Sequence, residues 1–165
     1  LLEELVSGLQ AGAKRGGLFL AGVVMAAAIA LHNLPEGMVI GASYAADLAE
    51  AGEDGRMMAL VIGLHNIPEG MAVAVPLAAG GASRGRAVLT TAVAGAPTVL
   101  GAVLGFCLGT MGPGLQMLTL GGASGAMLYV VFGELLPESF RLCRSPAPVM
   151  AAVLGVLTGM GVVLG

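Results

Sequence analysis

Long apolar runs, almost free of charge and separated by short charged or turn-rich stretches, constrain this chain more than any other feature. Charged residues make up 10% of the sequence and hydrophobic residues 57%, with a mean hydropathy of +0.95. A water-soluble domain carries charge on roughly a quarter of its residues, so an ordinary soluble domain is excluded. A helix crosses a ~30 Å hydrocarbon core with about 20 apolar residues. Five such runs can be drawn, at about residues 18–46, 57–79, 87–110, 115–140 and 148–165. Backbone groups in lipid must be satisfied by a helix or a closed barrel, and these runs lack the period-2 alternation of barrel strands. The expected fold is all-α, a polytopic membrane helix bundle of five spans forming a single transmembrane domain.

Charge placement orients the bundle. Lys14 and Arg15 precede the first run, Arg84 and Arg86 follow the second, and Arg141 and Arg144 follow the fourth. With alternating spans these six lie on one side, and only Arg56 lies on the other. The positive-inside rule makes the six cytoplasmic and the C-terminus extracytoplasmic, which suits an integral protein of the cell (inner) membrane. A net charge of −3 offers no nucleic-acid footprint. Cys107 and Cys143 read as unpaired. Glycines spaced four apart, at 101, 105 and 109, at 121 and 125, and at 155 and 159, are expected to form seams where helices approach closely.

Two segments repeat almost letter for letter. Leu31-His32-Asn33-Leu34-Pro35-Glu36-Gly37-Met38 recurs 33 residues later as Leu64-His65-Asn66-Ile67-Pro68-Glu69-Gly70-Met71. Both histidines of the protein lie here, deep in apolar runs, each four residues before a glutamate. An ionisable side chain in hydrocarbon is expensive and marks a functional site by default. Positions i and i+4 share a helix face, and imidazole and carboxylate are ligands for zinc and its first-row neighbours. Two such helices side by side would offer four ligands: His32, Glu36, His65 and Glu69. Asn33 and Asn66 would add an oxygen each, or bridge the helices. Pro35 and Pro68 lack an N–H and so free the carbonyls of Leu31 and Leu64; breaks of this kind line ion sites in transporters, and two proline-broken helices are expected.

A further acidic pair, Glu134 and Glu138, has the same spacing. It reads either as a solvated helix end beside Arg141 or as an inner vestibule on the cytoplasmic exit path. The loop holding Asp47, Glu50, Glu53 and Asp54 either concentrates cations at the outer mouth or is plainly solvated. The metalloprotease pattern H-E-x-x-H is absent. A metal-dependent intramembrane hydrolase would need a separate catalytic base, and none is evident, so no enzyme activity and no prosthetic group are expected. A channel or a metal-sensing subunit is the second rival to a carrier.

The paired H-N-[LI]-P-E-G motifs, followed by Gly-Ala-Met-Leu-Tyr and Glu-Leu-Leu-Pro-Glu in a later run, resemble the ZIP family of zinc and iron transporters. The resemblance implies eight membrane helices, of which these five would be the fourth to the eighth, with three more upstream. It implies inward transport of Zn²⁺ (Fe²⁺, Mn²⁺ and Cd²⁺ being other candidate cargoes) by alternating access, and a possible homodimer in the lipid. It places the ion on His32, Glu36, His65 and Glu69, gives Asn33 and Asn66 with the same glutamates to an adjoining site, and puts Glu134 on the route inward. Many relatives carry an acidic residue where this chain has Asn66, and several carry a glutamate where it has Thr98. Both departures remove negative charge and favour a single tightly held ion.

Overall fold

A computed structural model describes the backbone of residues 2–50 and 52–164, and the side chains of 12–48, 52–133, 136, 137, 139–141 and 143–161. Among the described residues there are helices and no strands, in the order α1 (Leu2–Glu50), α2 (Asp54–Ala79), α3 (Arg84–Gly95), α4 (Pro97–Thr110), α5 (Pro113–Val130), a π-helical turn (Val131–Leu135), α6 (Leu136–Leu142) and α7 (Ala147–Leu164). Four stretches are long and apolar enough to cross a membrane: Gly12–Leu48, Asp54–Ala79, Arg84–Thr110 and Pro113–Gly133. The fifth expected span is a shorter apolar helix over its described part, Ala147–Gly161. Large apolar side chains such as Leu31, Leu64, Val88, Val99 and Leu118 are exposed, as a lipid-facing surface requires. The protein is an all-α membrane bundle.

The chain divides into two compact units, Leu1–Ser124 and Gly125–Gly165. In the first, α1 is the central helix and packs against α2, α3 and α4. Ala26, Val73, Leu77, Ala87 and Ala94 form its apolar core. The second unit holds the end of α5, the π-helical turn, α6 and α7.

Prolines act differently from the sequence expectation. Helix α1 runs unbroken through Pro35, and α2 through both Pro68 and Pro76. The two motif helices are therefore not proline-broken: each proline deletes one donor, and the ladder on either side holds the helix together. The break falls instead in the third span, where Pro97 follows Ala96. The Ala96 N–H turns back to the Val93 carbonyl at 3.2 Å and the ladder restarts with Val99 N–H donating to Ala96 at 3.0 Å. One run of apolar sequence thus becomes two helices, α3 and α4.

The expected glycine seams also divide. Gly101, Gly105 and Gly109 of α4 are all buried against α1. A Cβ on Gly101 would collide with the Leu34 carbonyl, and one on Gly105 with the Met38 carbonyl. From the other side, Gly37 and Gly41 of α1 face the carbonyls of Thr98 and Ala102. Backbone lies directly on backbone here, which only glycine permits. By contrast, among the described residues Gly121, Gly125, Gly155 and Gly159 meet no atom from outside their own helix turns within 4 Å of where a Cβ would stand.

Candidate metal site

The geometry of the site follows from the α1–α2 hairpin. The helices run antiparallel, so a motif read downward on one is read upward on the other. A His four residues before a Glu on each helix then puts each His level with the opposite Glu. His32 Nε2 lies 3.5 Å from its own helix's Glu36 Oε1 and 3.8 Å from Glu69 Oε1 across the gap. His65 Nε2 lies 3.3 Å from Glu69 Oε1 and 3.6 Å from Glu36 Oε1. The site has an approximate two-fold axis relating the motifs.

Ligand atoms from all four residues lie within 4.8 Å of one another. A zinc ion with bonds of about 2.0–2.1 Å in tetrahedral array has ligands roughly 3.3–3.4 Å apart. The four His–Glu separations, 3.3 to 3.8 Å, already approach that spacing. A modest contraction around one cation would complete it.

Unsatisfied atoms point the same way. Glu36 is fully buried, yet neither of its carboxylate oxygens accepts a hydrogen bond. Asn33 Oδ1, Asn66 Oδ1, Glu69 Oε2 and Thr98 Oγ1 are likewise buried without a partner. Buried polar atoms are normally hydrogen-bonded, and each exception calls for an explanation. Among the described side chains, every such orphan is an oxygen, and every one but that of Thr98 belongs to a motif residue. An array of acceptors without donors suits a cation. The donor set of imidazole and carboxylate fits zinc and related first-row ions.

The comparisons with known proteins agree with this chemistry. A family model described as ZIP Zinc transporter matches residues 7–165. The chain belongs to the ZIP family. It is 40% identical over 114 residues to the zinc transporter GufA of Myxococcus xanthus, an alignment that covers 69% of this chain and 44% of that protein. This ZIP chain therefore spans less than half the length of that curated relative. No solved structure matches it.

The residues singled out in the sequence take different places. His32, Glu36, His65 and Glu69 come together as one cluster. Asn33 turns its amide nitrogen toward the Ala94 carbonyl of α3, 3.0 Å away, so it bridges α1 to α3 rather than to α2. Two carbonyl oxygens would repel, so this contact dictates which end of the amide is nitrogen and leaves Oδ1 as the free end. The side chain of Asn66 makes no such bridge through its oxygen. Glu134 lies on the π-helical turn and Glu138 on α6, and their side chains fall outside the described ones. Cys107 and Cys143 are free and exposed.

Sequence reasoning missed two contributors. The Ala94 carbonyl carries no sequence signature, although Pro97 three residues on signals a disturbed ladder. The sequence reading places Asp47 in an acidic loop that either concentrates cations or is plainly solvated. In fact its carboxylate accepts the N–H groups of Asp54 at 2.9 Å and Gly55 at 2.8 Å, capping the start of α2. The aspartate-to-helix-start spacing is a usable signal, but only once α1 is known to continue past residue 47.

Proposed function

We propose that the protein carries divalent transition-metal ions, zinc foremost, through the membrane toward the cytoplasm. The ion is held by His32 and Glu36 of α1 and by His65 and Glu69 of α2. The observation that carries this reading is the four-residue cluster, with its His–Glu spacings near those of a tetrahedral zinc shell and with both Glu36 oxygens and Glu69 Oε2 buried without a donor. Two carboxylates neutralise one divalent cation, so a loaded site can lie at membrane depth without net charge. Membership of a zinc transporter family and likeness to a bacterial zinc transporter favour a carrier over a sensor or an enzyme.

Transport requires the site to be reached from each side in turn, and alternating access is the mechanism we favour. The charge asymmetry of the loops supports a topology with the C-terminus outside, and inward is the direction of movement we favour. Asn33 and Asn66 would supply neutral oxygens beside the four ligands. With Asn66 and Thr98 where acidic residues would add charge, the arrangement favours one tightly held ion. Glu134 and Glu138 would lie on the exit path, and two copies could pair in the bilayer.

Uptake of Zn²⁺ into proteoliposomes holding the full-length protein tests this. Wild type should give saturable uptake, and Glu36→Ala and Glu69→Ala should each reduce it about 100-fold while remaining folded, as expected for loss of a direct ligand. Undiminished uptake in both variants would make the motifs structural. Tight binding without any uptake would leave the sensor as the surviving reading.

A further inference from the structure

We infer that Asp47 is a positioning residue for the metal site: by clamping the start of α2 it sets the register that brings the two His–Glu pairs level. The inference rests on the metal-binding reading of the cluster given above. It starts from a symmetry of the hairpin. His32 stands opposite Glu69, Glu36 opposite His65, and Asp47 opposite Asp54, all centred on one point of the chain between residues 50 and 51. The cap and the metal cluster therefore belong to one register.

The lever is geometrically direct. Asp47 lies eleven residues above Glu36 on α1, and Asp54 lies eleven above His65 on α2. At 1.5 Å per residue each arm is about 16 Å of rigid helix, so a slip at the cap is passed unchanged to the site. One helical step of slip, about 1.5 Å, would part ligands that now sit 3.3 to 3.8 Å from their neighbours. Both Asp47 oxygens are engaged, one on each of two successive N–H groups, which resists rotation as well as sliding. Beside this clamp, the buried Gly55 lies against the Tyr44 ring, where a Cβ would collide.

The opposite end of the hairpin is also held. Gly22 of α1 fits against Leu77, and Gly80 against the backbone of Phe19. The cluster lies between these two fastenings. At the site the helices face one another through His32 and Glu69, 3.8 Å apart, and His65 and Glu36, 3.6 Å apart, with orphaned oxygens on both helices. Those cross-helix separations are longer than hydrogen bonds, so at the level of the site the register leans on the fastenings above and below it.

A competing role for Asp47 is electrostatic, as one of several carboxylates that draw cations to the mouth. The two roles separate by substitution. Asp47→Ala removes cap and charge, Asp47→Asn removes the charge but keeps one acceptor for the helix start, and Glu53→Gln removes a neighbouring exposed charge and no cap. Two readouts on the full-length protein are needed. The first is metal-free: spin labels at the exposed positions Leu31 and Ile67, in a background with Cys107 and Cys143 replaced by serine, report the inter-helix distance distribution. The second is Co²⁺ binding, whose ligand-field absorption distinguishes four-coordinate from higher-coordinate geometry.

We expect Asp47→Ala to broaden or shift the distance distribution, to weaken Co²⁺ binding about tenfold, the lower end of what supporting residues around a metal contribute, and to lower the intensity of its four-coordinate bands. Asp47→Asn should keep the wild-type spectrum and most of the affinity, and Glu53→Gln should match wild type. An unchanged distance distribution in Asp47→Ala would overturn the inference, whatever the metal does. So would equal weakening by Asp47→Asn and Glu53→Gln with the spectrum intact, which is the signature of charge alone. A shifted distance in Asp47→Ala, together with Co²⁺ binding that Glu36→Ala leaves untouched, would uphold Asp47 as the register clamp and remove the metal reading of the cluster.

Discussion

Helix α1 treats two of its neighbours in opposite ways. Against α4 it lays backbone on backbone, with Gly37 and Gly41 on one side and Gly101 and Gly105 on the other. Against α2 it is fastened near the ends and, between them, presents His32 and Glu36 to His65 and Glu69. The first interface holds together without any ligand, because close approach maximises dispersion and brings Cα–H groups onto carbonyls. The second holds buried acceptors that no protein donor reaches. An apolar bundle without a hydrophobic force between its helices can tolerate such an interface only if another supplies rigidity. The α1–α4 seam supplies it, and the α1–α2 gap is thereby free to be chemical.

That comparison breaks most sharply at the seam. Gly101→Leu should lower stability by about 3 kcal/mol or more, the upper range of overpacking, because the obstacle is the Leu34 backbone and not a movable side chain. The loss would be read as a fall in the yield of monodisperse protein and in its unfolding midpoint in detergent. A variant as stable as wild type would show that α1 and α4 are not in close contact.

At the site, the opposite response is expected. Glu36→Gln should weaken Zn²⁺ binding about 100-fold, some 2.7 kcal/mol, measured by titration calorimetry. The same change should leave the metal-free protein as stable or more stable by about 1 kcal/mol, since it removes a buried charge that has no donor. Destabilisation of the metal-free form would mean that Glu36 already has a structural partner.

The smallest effect belongs to the link between the two regions. Asn33→Ala removes the buried bond to Ala94 and should lower stability by about 1–2 kcal/mol, as expected when a buried acceptor loses its donor. Asn33→Asp, which places a carboxylate against the same carbonyl, should be worse in the metal-free protein and recover part of the difference when Zn²⁺ is added. Thermal unfolding with and without metal decides it. Identical midpoints for wild type and both variants would reduce the Asn33 contact to an incidental one.

Much of this was legible from the chain because it depends on local rules. The apolar runs announced membrane helices through their length, and the i, i+4 spacing placed each His with its Glu on one face whatever surrounds it. Pro35 and Pro68 misled for an instructive reason: a proline removes one bond from a ladder of many, and neighbouring turns kept α1 and α2 continuous. Pro97 did interrupt its span, yet nothing in the local sequence ranks it above the others. The three sets of glycines looked alike as spacing, and among the described residues those at 101, 105 and 109 meet a partner helix while nothing is found against the others.

By itself, the sequence determined that this protein lives in a membrane as helices, and it singled out His32, Glu36, His65 and Glu69, with Asn33 and Asn66 beside them, as candidate ligands for a divalent cation. Those facts follow from hydropathy, from the rise per residue and from ligand chemistry, all of which act within a few turns of one helix. Only the tertiary structure decided that His32 stands level with Glu69 and His65 with Glu36, that Asn33 turns to Ala94, and that Asp47 caps α2. The reason is that register between helices is a non-local quantity. It is set by backbone contacts between helices and by the geometry of one short hairpin, and no periodicity within either helix encodes it.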